Sequence, residues 1–321
     1  MAHEQLMHPT REVLVGLVEA ASRAPSSHNT QPWRFRVGSG QIVLRADTSR
    51  ALPVGDPDGR ELTISCGAAL FNLAVAARQA GFDPVIEHLP DGETGAPLAT
   101  VTLAPGPVAD ADLCQAMNAR HTTRGPLLAS SVSDDLLATL TSIAGEHDAW
   151  LLALEPGQHG PIADLIAEGD RIQFANRHWR AELASWMHPR SRGDGLVVPA
   201  LAGPFIRASV TALNVGARTA AKDHALAHAA PVLAVLGTNR DRRLDWIHAG
   251  EALEHVLLHA AGHGVQAGFL NQPCQVDQLR TRLADLINRD GSPQLILRLG
   301  QPLKPLPAAP RRRVHDVIDH D

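Results

Sequence analysis

Two stretches of this chain can fold only if something buries them on nearly every side. Residues 61–80, Glu-Leu-Thr-Ile-Ser-Cys-Gly-Ala-Ala-Leu-Phe-Asn-Leu-Ala-Val-Ala-Ala-Arg-Gln-Ala, read as a helix that is apolar almost all round. Such a helix belongs in the middle of a fold, not on its surface. Residues 244–261 form a second Ala-, Leu- and His-rich helical stretch. The two superpose at an offset of 183, with Gly67/Gly250, Ala69/Ala252, Leu70/Leu253, Ala77/Ala260 and Gly81/Gly264 matching. Ala-rich helices also align by chance, so the match is a pointer rather than proof. It points to two related halves, each built on one buried helix with strands around it.

Composition sets the outer bounds. The 321 residues fit two domains or one large one, and 44% hydrophobic with 20% charged residues is a globular balance. The formal charge of −5 gives no basic excess, so a nucleic-acid partner is not expected. No apolar run approaches the ~18–20 residues of a membrane span. The N-terminus has no basic segment followed by an apolar one, so no secretory signal is expected. Cys66, Cys114 and Cys274 are an odd number without CxxC spacing, which argues against a disulfide framework or a Cys-rich metal site. A cytoplasmic, reducing compartment is the expectation.

Periodicity and punctuation give a coarse map. Helices are expected over 11–23, 61–80, 113–120, 133–143 (with Ser133 as N-cap), 161–186 and 244–261. Residues 33–37 and 41–46 flank Gly38-Ser39-Gly40 and predict a hairpin. Further strands are expected at 98–103, 150–154, 230–236 and 294–299. Residues 188–205, with three prolines and three glycines, are too long for a plain connector and read as a lid or arm. The tail, with its Arg311-Arg312-Arg313 run, is expected to be peripheral and solvated.

Three features carry chemistry. Arg23-Ala-Pro-Ser-Ser-His-Asn-Thr-Gln-Pro-Trp-Arg-Phe follows a helix and precedes a strand. It packs hydroxyls, an amide and backbone N–H groups into one short turn, which suits a polar heterocycle edge; the bland alternative is a capped helix end. Asn118-Ala-Arg-His-Thr-Thr-Arg-Gly-Pro places Arg120 and Arg124 four apart with hydroxyls between, a compact anion site or else an exposed Arg face. Arg298 sits inside the strand Leu-Ile-Leu-Arg-Leu-Gly, where a charge needs a partner or a sheet edge. His255, His259 and His263 repeat at i, i+4, i+8 and read as packed rather than metal-bound, so no metal is expected. Residues 262–268 only approximate a dinucleotide fingerprint, and Cys66 reads as core. Trp179 and Trp186 read as packing on a helix face, with stacking on a ring as the alternative.

At these residues the chain resembles the FMN-dependent nitroreductase family. Ala24-Pro-Ser-Ser-His-Asn-Thr-Gln-Pro-Trp33 and the Arg-x-Thr-x-Arg at 120–124 are similar to that family's motifs, in inverted order. With Gly59-Arg-Glu-Leu, Cys66-Gly-Ala-Ala-Leu and Phe269-Leu-Asn-Gln-Pro273 they resemble its Acg-like branch, whose members are similar to a nitroreductase dimer fused into one chain. The resemblance covers residues 10–302. It implies an α+β, nitroreductase-like fold of two tandem half-units, residues 1–115 and 116–321, forming an intramolecular pseudo-dimer, with a lid near 186–228.

The resemblance also implies one FMN between the halves. Pro25, Ser26, Ser27 and Asn29 would meet the ring edge or ribityl chain. Arg120, Thr122 and Arg298 would hold the phosphate. Arg124 would stabilise negative charge on the flavin, and the backbone of Gly268, Phe269 and Leu270 would pass near its reactive edge. The implied activity is two-electron hydride transfer from NAD(P)H to a nitro-aromatic or quinone. The family's Pro-Glu-Gly-Gly loop is replaced by Phe269-Leu-Asn-Gln-Pro. The alternative is therefore a non-enzymatic FMN storage or sequestration protein with a covered flavin. A monomer suffices to complete such a site.

Overall fold

The computed structural model describes residues 9–130 and 132–319. It opens with α1 (Arg11–Ala21), where Thr10 caps the helix by accepting a hydrogen bond from the Val13 amide. Leu14, Leu17, Val18 and Ala21 are its buried stripe. β1 (Trp33–Gly38) and β2 (Gln41–Ala46) form the expected hairpin, in register from Trp33↔Ala46 to Gly38↔Gln41. α2 (Arg60–Gln79) is buried from Arg60 to Ala77. Its first turn is capped by Asp56, whose carboxylate oxygens accept from the amides of Glu61 and Leu62 at 3.0 and 2.9 Å. β3 (Phe82–His88), β4 (Pro97–Pro105) and α3 (Ala111–Ala119) follow.

A second run begins with α4 (Asp134–Gly145), N-capped by Ser133 as expected, and β5 (Ala149–Ala153). Four helices come next: α5 (Pro156–Ala175), α6 (Arg177–Ser185), α7 (Gly203–Ala212) and α8 (Gly216–His228). The two-residue strands β6 (Met187–His188) and β7 (Leu196–Val197) lie between α6 and α7. β8 (Val232–Thr238), α9 (Arg243–Gly262), β9 (Gln266–Phe269), α10 (Gln272–Gln275), α11 (Asp277–Ile287) and β10 (Ser292–Gly300) complete the run.

The two runs build the same sheet twice. One sheet has the order β1-β2-β4-β3 and the other β5-β8-β10-β9, with neighbours antiparallel throughout. In both, the buried helix joins the second strand of the run to the third. The fold is therefore α+β and internally repeated, with residues 154–231 inserted where the first half has only the turn between β1 and β2. α2 and α9 pack on each other at Gly67 and Gly250, the pair matched by the sequence offset: a Cβ at Gly250 would lie 2.8 Å from the Gly67 Cα. One core surrounds α1, α2 and the first sheet; two others cover opposite faces of the second sheet. Burial on both faces explains why β8 reads as an unbroken apolar run whereas β3 alternates.

Several expectations need correction. The helix expected over 161–186 starts at Pro156 and breaks at Asn176, whose side chain accepts from the amides of His178 and Trp179 and so starts α6. β3 contains Pro84, and as an edge strand it has room for a residue that cannot donate. The stretch 188–205 read as an arm holds the short strand β7 (Leu196–Val197) and ends in the start of α7 at Gly203. The tail is not peripheral: Val317 and Ile318 are buried in the first core. Its backbone pairs with Phe35, as the Phe35 amide donates to the Val317 carbonyl at 2.8 Å and the Asp319 amide to the Phe35 carbonyl at 2.7 Å. That parallel bridge covers the free edge of β1.

Candidate functional site

Between the halves lies a cavity of about 710 Å³, within the range of small-molecule pockets. Pro25, Ser26, Ser27, Asn29, Arg120, Thr122, Arg124, Phe269, Leu270 and Arg298 all line it. Gly268 does not; it stands behind Arg298, where a Cβ would meet an Arg298 terminal nitrogen and the Thr123 carbonyl oxygen, each at 2.6 Å. A bare backbone here leaves the guanidinium its path.

The 25–31 turn holds a costly shape. His28, Asn29 and Gln31 have φ of 51°, 55° and 51°, the left-handed region that costs L-residues roughly 1–2 kcal/mol each. Neighbours pin it. The Gln31 amide donates to Ser26 Oγ at 2.9 Å, and Ser27 Oγ donates to Glu61 Oε2 at 2.5 Å. Asn29 Nδ2 donates to the Pro310 carbonyl, and Asn29 Oδ1 accepts from Arg311. The side chains of Ser26, Ser27 and Asn29 thus each have a protein partner in this structure. Burial and the nearby Arg124 push the His28 imidazole down to about 4, so it is neutral at ordinary pH.

The Arg120–Arg124 segment is held as an extra strand. Thr122 bridges Ala267 in parallel, and the Thr123 amide donates to the Ala267 carbonyl at 2.8 Å. Gln266 clamps the entry, accepting from the His121 amide and donating to the Ala119 carbonyl. Arg298, on β10 opposite Gly268, donates to the Gly125 carbonyl. Arg124 makes no ion pair among the described residues and lines the cavity. Burial lowers the affinity of Arg124 and Arg298 for their protons.

Sequence reasoning missed the support beneath these arginines. Glu254, fully buried on α9, lies 3.5 Å from Arg120 Nε. Burial raises its carboxyl to about 7 against the pull of Arg120. A glutamate inside an apolar helix was the available signal. Arg311 folds back from the tail to line the cavity and donates to the carbonyls of Arg23 and Ala24. Burial, then Arg120, bring it down to about 9. The cavity is lined by six cationic side chains (Arg23, Arg120, Arg124, Lys222, Arg298, Arg311) and three carboxylates (Glu61, Asp170, Asp223). In a chain of net charge −5 that local excess of cations suits a negatively charged ligand. Among the described residues the buried Nε groups of Arg298 and Arg311 have no hydrogen-bond acceptor, while that of Arg120 faces Glu254.

The inserted helices form the opposite wall. Asp170, Gln173 and Phe174 of α5, Trp179 and Leu183 of α6, and Thr219, Lys222, Asp223 and Leu226 of α8 face the cavity. Trp179 packs edge-on against Phe174, so it serves both packing and lining. Asp170 and Asp223 both accept from Gln272 Nε2 at 3.0 Å. Burial, then Asp223, raise the Asp170 carboxyl from 3.8 to about 7. A carboxyl whose folded value is raised favours the fold while both states are protonated. That advantage drains away as pH climbs from about 4 to about 7. Asp170→Asn should therefore raise the thermal midpoint relative to wild type near pH 8, with the gap closing towards pH 4. A gap independent of pH in a series of thermal melts would refute the assignment.

Other candidates lie elsewhere. Cys66 is core, donating to the Pro32 carbonyl. His255 bonds His147 at 3.0 Å and stacks on Phe71, while His259 packs against His263. Trp186 lies under the Arg50 guanidinium.

Residues 7–52 match the model of the nitroreductase family. The chain is 30% identical to a Mycobacterium tuberculosis protein named "Putative NAD(P)H nitroreductase Rv3131", over 97% of this chain and 92% of that one. It is 28% identical to "Putative NAD(P)H nitroreductase acg" of the same organism, over 96% of each. In fold it is similar to the crystal structure of a "putative nitroreductase" from Anabaena variabilis, at 10% identity and a TM-score of 0.53, over 94% of this chain and 93% of that one.

Proposed function

The chain belongs to the nitroreductase family, and from that premise we propose that it binds FMN in the cavity between its halves and passes hydride from NAD(P)H to a nitro-aromatic or quinone. The observation that carries the reading is the meeting of the strained 25–31 turn from one half with Arg120, Arg124 and Arg298 from the other, around one cation-rich cavity. The guanidinium groups of Arg120, Arg124, Arg298 and Arg311 that line one cavity fit the group's phosphate. When bound, FMN supplies the two-electron chemistry, and no side-chain acid or base is needed for the hydride itself.

The chain's own contribution is placement and charge. Arg120 and Arg298, with the Thr122 hydroxyl, hold the phosphate. Arg124, with no carboxylate partner among the described residues, sets positive charge beside the ring and favours the reduced, more negative state. The 25–29 turn and the backbone from Phe269 to Leu270 fix the ring edge on rigid elements.

A second reading rests on the α5, α6 and α8 wall. If that wall covers the ring, hydride donors are excluded and the protein stores or sequesters FMN. The visible spectrum of the FMN-loaded chain, followed anaerobically, separates the two. The oxidoreductase reading expects flavin absorbance to bleach when NADPH or NADH is added. Absorbance that persists with either nucleotide yet bleaches with dithionite would replace it with storage. A chain that takes up no FMN would sink both.

A further inference from the structure

Away from the cavity, a second set of side chains converges where the two halves meet. His88 ends β3, and its Nε2 lies 3.2 and 3.1 Å from the two carboxylate oxygens of Glu251 on α9. His248 stands one turn before Glu251 on the same face of α9, and its ring meets that of His88 edge-on with centroids 5.2 Å apart. One donor atom from each of the three residues falls within 4.8 Å of the others. Among the described residues this is the one such grouping of His, Cys, Asp or Glu. Glu251 is buried and both imidazoles are half-buried. The group is therefore shielded yet reachable from solvent.

Ion pairs alone would match His88 with Glu251 and His248 with Asp148. They do not require both rings and the Glu251 carboxylate to converge on one point, as they do here. Two neutral imidazoles and a carboxylate are a familiar donor set for zinc, with water in the fourth position. Ligand atoms around a tetrahedral zinc lie roughly 3.3–3.5 Å apart, given bonds of about 2.0–2.2 Å. The His88–Glu251 spacing is already close to that, and a small turn of His248 brings in the third donor. The internal repeat sharpens the point. The 183-residue offset carries Ser65, which lines the cavity, onto His248, and Ala68 onto Glu251. The fold thus tolerates small, neutral residues at these helix positions, and the ligand types are not demanded by packing.

We propose that His88, His248 and Glu251 form a binding site for a divalent ion of the zinc class, which ties the edge of the first sheet to the central helix of the second half. The site is separate from the cavity and does not depend on how the cavity is used. Asp148, whose carboxylate lies 3.6 Å from His248 Nδ1, is placed to orient that ring.

The test uses the full-length chain, stripped with a chelator and titrated with zinc chloride against a chromophoric indicator. One equivalent should bind at micromolar or tighter affinity, and saturation should raise the thermal midpoint. His88→Ala and His248→Ala should each weaken binding at least tenfold and abolish the zinc-dependent rise. Glu251→Gln, nearly the same shape, should do likewise and guards against misfolding of the alanine variants. His259→Ala should change neither readout. Cobalt(II) should give the visible absorption of a tetrahedral site. Absence of stoichiometric zinc binding in the wild type, or binding that survives both His88→Ala and Glu251→Gln, overturns the proposal.

Discussion

Replacing Arg120 with alanine is expected to weaken FMN binding ten- to a hundredfold and to cost the fold about 3 kcal/mol. The first effect is the loss of a charge-assisted contact to phosphate, worth roughly 1.5–3 kcal/mol. The second comes from behind the site. Glu254 is fully buried, and Arg120 lies 3.5 Å away. Stripping the partner from a buried charge costs roughly 3–5 kcal/mol. The lower end applies because Glu254, already raised to about 7, can escape by taking up a proton. The two effects are separable. Arg120→Ala combined with Glu254→Gln should recover most of the stability, measured by urea unfolding, while FMN affinity, measured by flavin fluorescence, stays low. If Arg120→Ala alone binds FMN as well as wild type, the phosphate role is wrong, whatever happens to stability.

The site was half legible in the sequence because its parts carry different kinds of signal. The 25–29 turn and Arg120–Arg124 are local: each packs its chemistry into a few consecutive residues. Arg298 announces itself as a charge in an apolar strand. Glu254 and Arg311 give weaker signals, since their roles come from partners far along the chain. Arg311 reads as part of a solvated run, yet the tail crosses to the first sheet and buries it against Arg23 and Ala24. The hydroxyl and amide of Ser27 and Asn29 suggest ligand contacts, but in the fold they bond Glu61, Pro310 and Arg311. Tertiary partners claimed groups that the turn alone leaves open.

The fold was more legible, because the constraint that governs it is periodic. The repeat was signalled by two buried helices that match at one offset, and the α+β class was what the family resemblance implied. α8 and α11 were harder. α8 has only one large apolar residue, Leu226, and its buried residues, Gly216, Ala220 and Ala227, are all small. α11 has a regular stripe at Leu279, Leu283 and Ile287 but a polar remainder that masks it. β3 was hidden by Pro84, which only an edge strand admits.

The largest single effect on the fold is expected at the crossing of the two buried helices. Gly250→Ala should destabilise the protein by at least about 3 kcal/mol, the upper end for overpacking. A Cβ there would stand 2.0 Å from the Ile64 carbonyl oxygen and 2.8 Å from the Ala68 nitrogen. Both are backbone atoms inside a helix, so neither can swing aside as a flexible side chain would. Gly67 faces the same limit, 2.2 Å from the Ile247 carbonyl oxygen. Relief requires the helices to part, and Ile64 and Ser65 on one and Leu253 on the other line the cavity. Loss of FMN affinity should therefore accompany the loss of stability. The control is the same substitution at Gly16 in α1, where a Cβ would meet nothing within 4 Å. Helix propensity favours alanine over glycine by about 1 kcal/mol at either position. Gly16→Ala should thus be neutral or slightly stabilising, and Gly250→Ala strongly the reverse. The opposite signs would isolate the close approach from the chemistry of the substitution. Equal denaturation midpoints for Gly250→Ala and wild type would mean that the two helices do not cross this closely.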